Sequence, residues 1–175
     1  FALQPDGTRS GYPSSTLAKL CVSNPDVVKQ WLADVEAQIK HNPNLTIFNT
    51  APNDSYGTGH CVCEKCKAWD HPDAALRPFY WAGEFARGPA LSDRDVRFGN
   101  ECARLLKKRF PNEDYYVSIN AYGNARPAPL KTKPDGNVVV MNVANNFWKV
   151  DTPDKDCLVG KTYAKHYADW SRLTK

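Results

Sequence analysis

Leu45-Thr46-Ile47-Phe48-Asn49 is a short apolar run that soon passes into Asn53-Asp54-Ser55-Tyr56-Gly57-Thr58-Gly59-His60-Cys61-Val62-Cys63-Glu64-Lys65-Cys66. The first stretch predicts a buried strand. The second packs a carboxylate, a glycine-rich turn and three cysteines into one segment. A strand that ends in a polar loop of unusual conformation is where α/β folds carry their chemistry. This junction therefore sets the expected fold class and marks the first place to look for a site.

Working outward, Ser23 or Asn24 can cap a helix that has Pro25 at its favoured first position. Val27, Val28, Trp31, Leu32, Val35 and Ile39 then recur at helical spacing up to His41-Asn42-Pro43. Residues 67–91 read as an irregular aromatic loop with Trp69, Phe79, Tyr80, Trp81 and Phe85 among prolines and glycines. Ser92-Asp93-Arg94-Asp95 resembles a helix start with acidic residues in the first turn. Val96, Phe98, Cys102, Leu105, Leu106 and Phe110 continue it to Pro111. Tyr115–Asn120 and Asn137–Asn142 predict two further strands, and 162–174 a last helix with Tyr163, Tyr167 and Trp170 on one side. Short, continuous apolar strands alternating with helices imply a parallel sheet covered by helices. Three strands cannot close a barrel, and a (β/α)8 domain takes about 250 residues. Residues 1–175 are thus expected to form a section of a larger α/β domain.

The composition bounds the function. Lys and Arg outnumber Asp and Glu by 23 to 19, a net charge of +4 spread along the chain. That is not the basic stripe of a nucleic-acid binder. No apolar run approaches the roughly 20 residues of a membrane span. Five Trp, eight Tyr and seven Phe are enough to fill a core and line a cleft. Six cysteines permit either disulfides in a secreted protein or a metal site.

Asp54, just past a predicted strand end, is the candidate catalytic carboxylate, since sugar hydrolysis commonly uses a pair of them. It also suits a turn aspartate bonded to its own backbone. No partner carboxylate stands out; Glu64 sits among the cysteines and Glu84 in the aromatic stretch. Cys61, Cys63 and Cys66 are spaced to share one tetrahedral Zn²⁺, with His60 or one of the distant Cys21, Cys102 and Cys157 as fourth ligand. Disulfide pairing of the same residues is the alternative. Asn53, Tyr122, Asn146 and Trp148 fall after the predicted strands, where rings can stack on sugar faces and amides can bond hydroxyls.

Several phrases together resemble a family of bacterial, usually secreted proteins known as a domain of unknown function and grouped with the TIM-barrel glycoside hydrolases. They are Phe1-Ala-Leu…Gly7-Thr-Arg9, Leu20-Cys-Val-Ser-Asn-Pro25, Asn53-Asp54…Cys61-x-Cys63-x-x-Cys66, Ser92-Asp93…Arg97-Phe98-x-Asn100, Tyr122…Pro127 and Asn137-Val-Val-Val140. The family loop is typically shorter at residues 72–91. The resemblance implies a segment of a (β/α)8 barrel from a secreted or periplasmic, multi-domain polysaccharide-processing protein, with Asp54 at a C-terminal strand end. The expected function is therefore glycoside hydrolase-like. The alternative is a non-catalytic glycan- or protein-binding module in which the cysteine loop is a structural clasp of zinc or disulfide. A redox or metal protein centred on the three cysteines is a third, weaker reading.

Overall fold

The computed structural model describes residues 1–9, 11–14, 16–54, 57–81, 84–143 and 158–174. The elements are α1 (Pro25–His41), β1 (Ile47–Asn49), the one-turn α2 (Glu64–Lys67), β2 (Leu76–Trp81), β3 (Glu84–Pro89), α3 (Ser92–Arg109), β4 (Tyr116–Ala121), a 3-10 turn (Gly123–Ala125), β5 (Val138–Asn142) and α4 (Leu158–Leu173). Local chemistry accounts for the long helices. The Asn24 side chain accepts from the Asp26 N–H, Pro25 opens α1, and Lys40 and His41 close it. α3 starts with Asp93 and Asp95 and ends with Lys107, Lys108 and Arg109, charges that complement both helix ends.

The central sheet is parallel, in the order β1-β4-β5. Its register places Phe48, Val117, Ile119, Ala121 and Val138 on one face. These residues form one core with Val28 and Val35 of α1, with Val96, Phe98, Cys102, Ala103 and Leu106 of α3, and with Trp170 of α4. α3 packs so tightly that a Cβ on Gly99 would lie 2.6 Å from Cγ2 of Ile119. On the opposite face Ile47, Tyr116 and Met141 are exposed, Asn120 and Val139 are half-buried, and Ser118 is buried. Among the described residues the sheet is open, with no closed barrel.

Residues 67–91 depart from the expected loop. They contain an antiparallel hairpin of β2 and β3, registered from Leu76 opposite Pro89 to Trp81 opposite Glu84. The hairpin is largely exposed, so it has no apolar–polar alternation to announce it, and Pro78, Gly88 and Pro89 read as breakers. On α4, Trp170 is buried while Tyr167 is exposed; the two do not share a buried side.

One face of α3 pins the segment that leads to β5. The Asp93 carboxylate accepts the backbone N–H groups of Leu130, Lys131 and Thr132 at 2.9, 3.0 and 2.6 Å. The Asn100 amide donates to the Lys133 carbonyl and accepts from the Asp135 N–H. Ser92 Oγ donates to the Pro127 carbonyl.

Candidate functional site

Four cysteines meet on one side of the strand-end loops. The Sγ atoms of Cys21, Cys61, Cys63 and Cys66 all lie within 4.8 Å of one another. Cys21 precedes α1; Cys63 is the residue before α2, and Cys66 lies within that turn. Cys21 Sγ is 3.7 Å from Cys63 Sγ and 3.8 Å from Cys66 Sγ. A tetrahedron of thiolates about 2.3 Å from a Zn²⁺ has edges of about 3.8 Å, so the set has the size of a four-thiolate site. It is too open for a disulfide, whose sulfurs sit about 2.05 Å apart. Among the described residues no cysteine is disulfide-bonded.

The surroundings suit sulfur ligands. Cys21, Cys61 and Cys66 are buried with Ala2, and Leu3, Val22 and Cys63 pack around them. The Leu3 N–H donates to Cys61 Sγ at 3.2 Å, and Cys66 Sγ is 3.1 Å from Ser23 Oγ. Hydrogen bonds from Cys66 and from the Cys63 and Leu3 backbones pull the Cys61 thiol down to about 4. Cys66, the thiol that donates that side-chain hydrogen bond, is pushed up. His60 lies outside the group of four; its ring packs edge-on against Phe79 at 5.9 Å. Of the fourth partners that sequence spacing left open, Cys21 is the one that lies with the three loop cysteines. Cys102 is in the main core, and Cys157 lies outside the described residues.

A cleft opens beside this cluster. Segments that follow the C-terminal ends of all three parallel strands line one cavity of about 300 Å³. Asn53 and Asp54 follow β1, Tyr122 to Ala125 follow β4, and Val143 follows β5. Lys19, His60, Asp95 and Asn120 are also in its wall. An adjoining cavity of about 380 Å³ runs toward α1 and shares Lys19, Asn53, His60, Asp95 and Asn120, with Trp31 at its edge. The Trp31 indole donates to the Asn49 carbonyl at 3.0 Å, fixing that ring at the end of β1.

The expected site residues divide. Asp54 is exposed at the cavity and Tyr122 is half-buried in its wall. Asn53 lines the cavity too, but it also stitches the loop down: its amide donates to the Ala18 carbonyl at 3.0 Å, and its own carbonyl accepts from Lys19 Nζ. Asn146 and Trp148 lie outside the described residues. Asn124, half-way along the 3-10 turn, donates to the Pro78 carbonyl at 2.8 Å and so fastens the hairpin to the cleft.

Sequence reasoning missed Asp95. It sits in the first turn of α3, where acidic residues are ordinary. Yet Phe98, Gly99, Cys102 and Leu106 follow it at three, four, seven and eleven residues, the spacing of one helix stripe, and all four are buried. A carboxylate on a buried stripe was the available signal. Burial pushes the Asp95 carboxyl up to about 7, with Asp70 adding to the rise and Arg94 and Lys19 opposing it. Arg94, its neighbour, lines the same larger cavity but is held by other groups. It forms a two-point bond to Asp70 and donates to the Cys61 carbonyl at 2.9 Å.

No described helix is long and apolar enough to cross a membrane. No curated protein and no solved structure matches the chain. One family model matches residues 1–175 throughout, and the chain belongs to that family, described as a domain of unknown function (DUF4838).

Proposed function

We propose that this chain is a carbohydrate-active, glycoside hydrolase-like domain whose cleft binds sugar at the C-terminal ends of the parallel strands. The observation that carries the reading is the shared cavity, where segments following three parallel strands bring together Asp54, Asn120 and Tyr122. Open α/β sheets bind ligands at that end. Asp54 is the exposed carboxylate available to reacting atoms, and Asn53 and Tyr122 offer polar and aromatic contact. A parallel sheet is normally covered on both faces; the exposure of Ile47, Tyr116 and Met141 on the face away from the helices fits the inner wall of a (β/α)8 barrel.

The same reading gives the cysteines a structural Zn²⁺ held by Cys21, Cys61, Cys63 and Cys66. A closed four-thiolate site stabilises the fold and leaves no position open for substrate. Here it would tie the segment before α1 to the loop that carries Asp54.

The test is turnover of a polysaccharide panel by the intact protein, with Asp54→Asn beside it. New reducing ends that vanish in Asp54→Asn support the reading. Glycan binding without product in both proteins would favour a binding module instead.

A further inference from the structure

We propose that Asp95 is the proton donor of this cleft and Asp54 the base that takes the proton of the attacking water. This rests on the carbohydrate reading above and deepens it by supplying the second carboxylate. Three observations point to Asp95. Among the described residues it is the only acidic side chain that lines both adjoining cavities. No hydrogen bond reaches its carboxylate among the described residues, whereas Asp93, two residues earlier, is filled by three backbone N–H groups. Asp95 is half-buried at the cavity wall, so a carboxyl not used by the protein's own donors is placed to bond something that enters the cleft.

The charges around it fit the role. Arg94, Asp70 and Lys19 act on Asp95, and Asp54 and His60 share its cavity. Arg94 is committed to Asp70 and the Cys61 carbonyl. Lys19 is buried and feels both Asp54 and Asp95; its Nζ is bonded to the Asn53 carbonyl. Burial pushes Asp95 up to about 7, which suits an acid at neutral pH. Asp54 is exposed at the same cavity.

The step balances as a hydrolysis. The glycosidic C–O bond breaks with its electron pair on the leaving oxygen, which takes the Asp95 proton. Water gives its oxygen to the sugar carbon, and its proton passes to the Asp54 carboxylate. Solvent exchange then returns Asp95 to its acid form and Asp54 to its carboxylate.

Aryl glycosides separate this role from a structural one, because a good leaving group needs no proton. The intact protein and Asp95→Asn are compared on 2,4-dinitrophenyl and 4-methylumbelliferyl glycosides across pH 4–9. Asp95→Asn is expected to lose at least about 100-fold on the poorer leaving group and under about 10-fold on the better one. The alkaline limb near pH 7 should disappear. Equal losses on both substrates, or an unchanged pH profile, would overturn the proposal while leaving the carbohydrate reading standing. A parent protein inactive on every glycoside overturns the reading and the proposal together. Carbon-13 NMR of the Asp95 carboxyl gives a readout free of turnover: titration above pH 6 is expected, and titration near 4 rejects the donor role.

Discussion

Arg94 grips Asp70 with two parallel bonds, Nε to Oδ1 at 2.8 Å and Nη2 to Oδ2 at 2.6 Å, with both side chains almost out of solvent at 5% and 10% exposure. The remaining Nη1 donates to the Cys61 carbonyl. One guanidinium therefore joins α3, the segment after α2 and the cysteine loop. Removing one partner of a buried pair leaves an uncompensated charge, which costs about 3–5 kcal/mol. Arg94→Met and Asp70→Ala should each lower unfolding stability by about that amount in chemical denaturation. Arg94→Lys should fail to restore it, because an ammonium cannot span both carboxylate oxygens and the carbonyl. Full stability in Arg94→Lys would show that charge alone matters here.

The cysteine cluster predicts a metal stoichiometry. Elemental analysis of the purified protein should give about one zinc per chain, and thiol counting after denaturation should find Cys21, Cys61, Cys63 and Cys66 reactive. Cys21→Ser should lose most of the zinc and lower Tm by more than about 10 °C, since structural zinc contributes folding energy directly. His60→Gln should keep its zinc. So should Cys102→Ser, which alters only the main core. Zinc loss in His60→Gln with retention in Cys21→Ser would reverse the ligand assignment.

Legibility followed the range of each interaction. α1 was readable to its ends because its cap, its Pro25 and its apolar stripe are local in sequence. The three parallel strands were readable because their apolar runs are continuous. Spacing left His60 and the distant Cys21 as alternatives, because only the folded chain brings the segment before α1 onto the Cys61 loop. Asp95 was missed for a different reason. An acidic residue in a first helical turn already has a sufficient local explanation in the helix dipole, which hid the fact that its stripe is buried. The β2–β3 hairpin escaped notice because neither strand buries a full face.

Asp95 also predicts an unusual pH dependence. Its folded carboxyl is raised to about 7 from an ordinary 3.8. Between those values the folded state holds a proton that the unfolded state has released, so stability falls as pH rises through the window. Asp95→Asn cannot ionise and escapes this loss. It should be more stable than the parent at pH 8 by on the order of 1–3 kcal/mol, and the difference should close near pH 4. A variant that gains stability while losing activity marks a group kept for chemistry and not for folding. Parallel curves for the two proteins across pH 4–8 would place Asp95 in ordinary solvent.

Gly99 sets how closely α3, and with it Asp95 one turn earlier, approaches the sheet. A Cβ there would meet Ile119 Cγ2 at 2.6 Å and Val138 Cγ1 at 3.8 Å. Helix propensity alone would make Gly99→Ala stabilising by up to about 1 kcal/mol. The clash opposes this, and overpacking of a core usually costs about 1–3 kcal/mol. Ile119 is almost fully buried against the helices and has nowhere to withdraw, so the clash should win. Gly99→Ala should therefore be destabilised by about 1–2 kcal/mol, while Gly99→Ala with Ile119→Ala should lose less than the sum of the single changes, a coupling that a double-mutant cycle reads directly. Zinc content should not change, since the cysteine cluster packs in a separate group from this contact. A stabilised Gly99→Ala would mean that α3 can move away from β4 without cost.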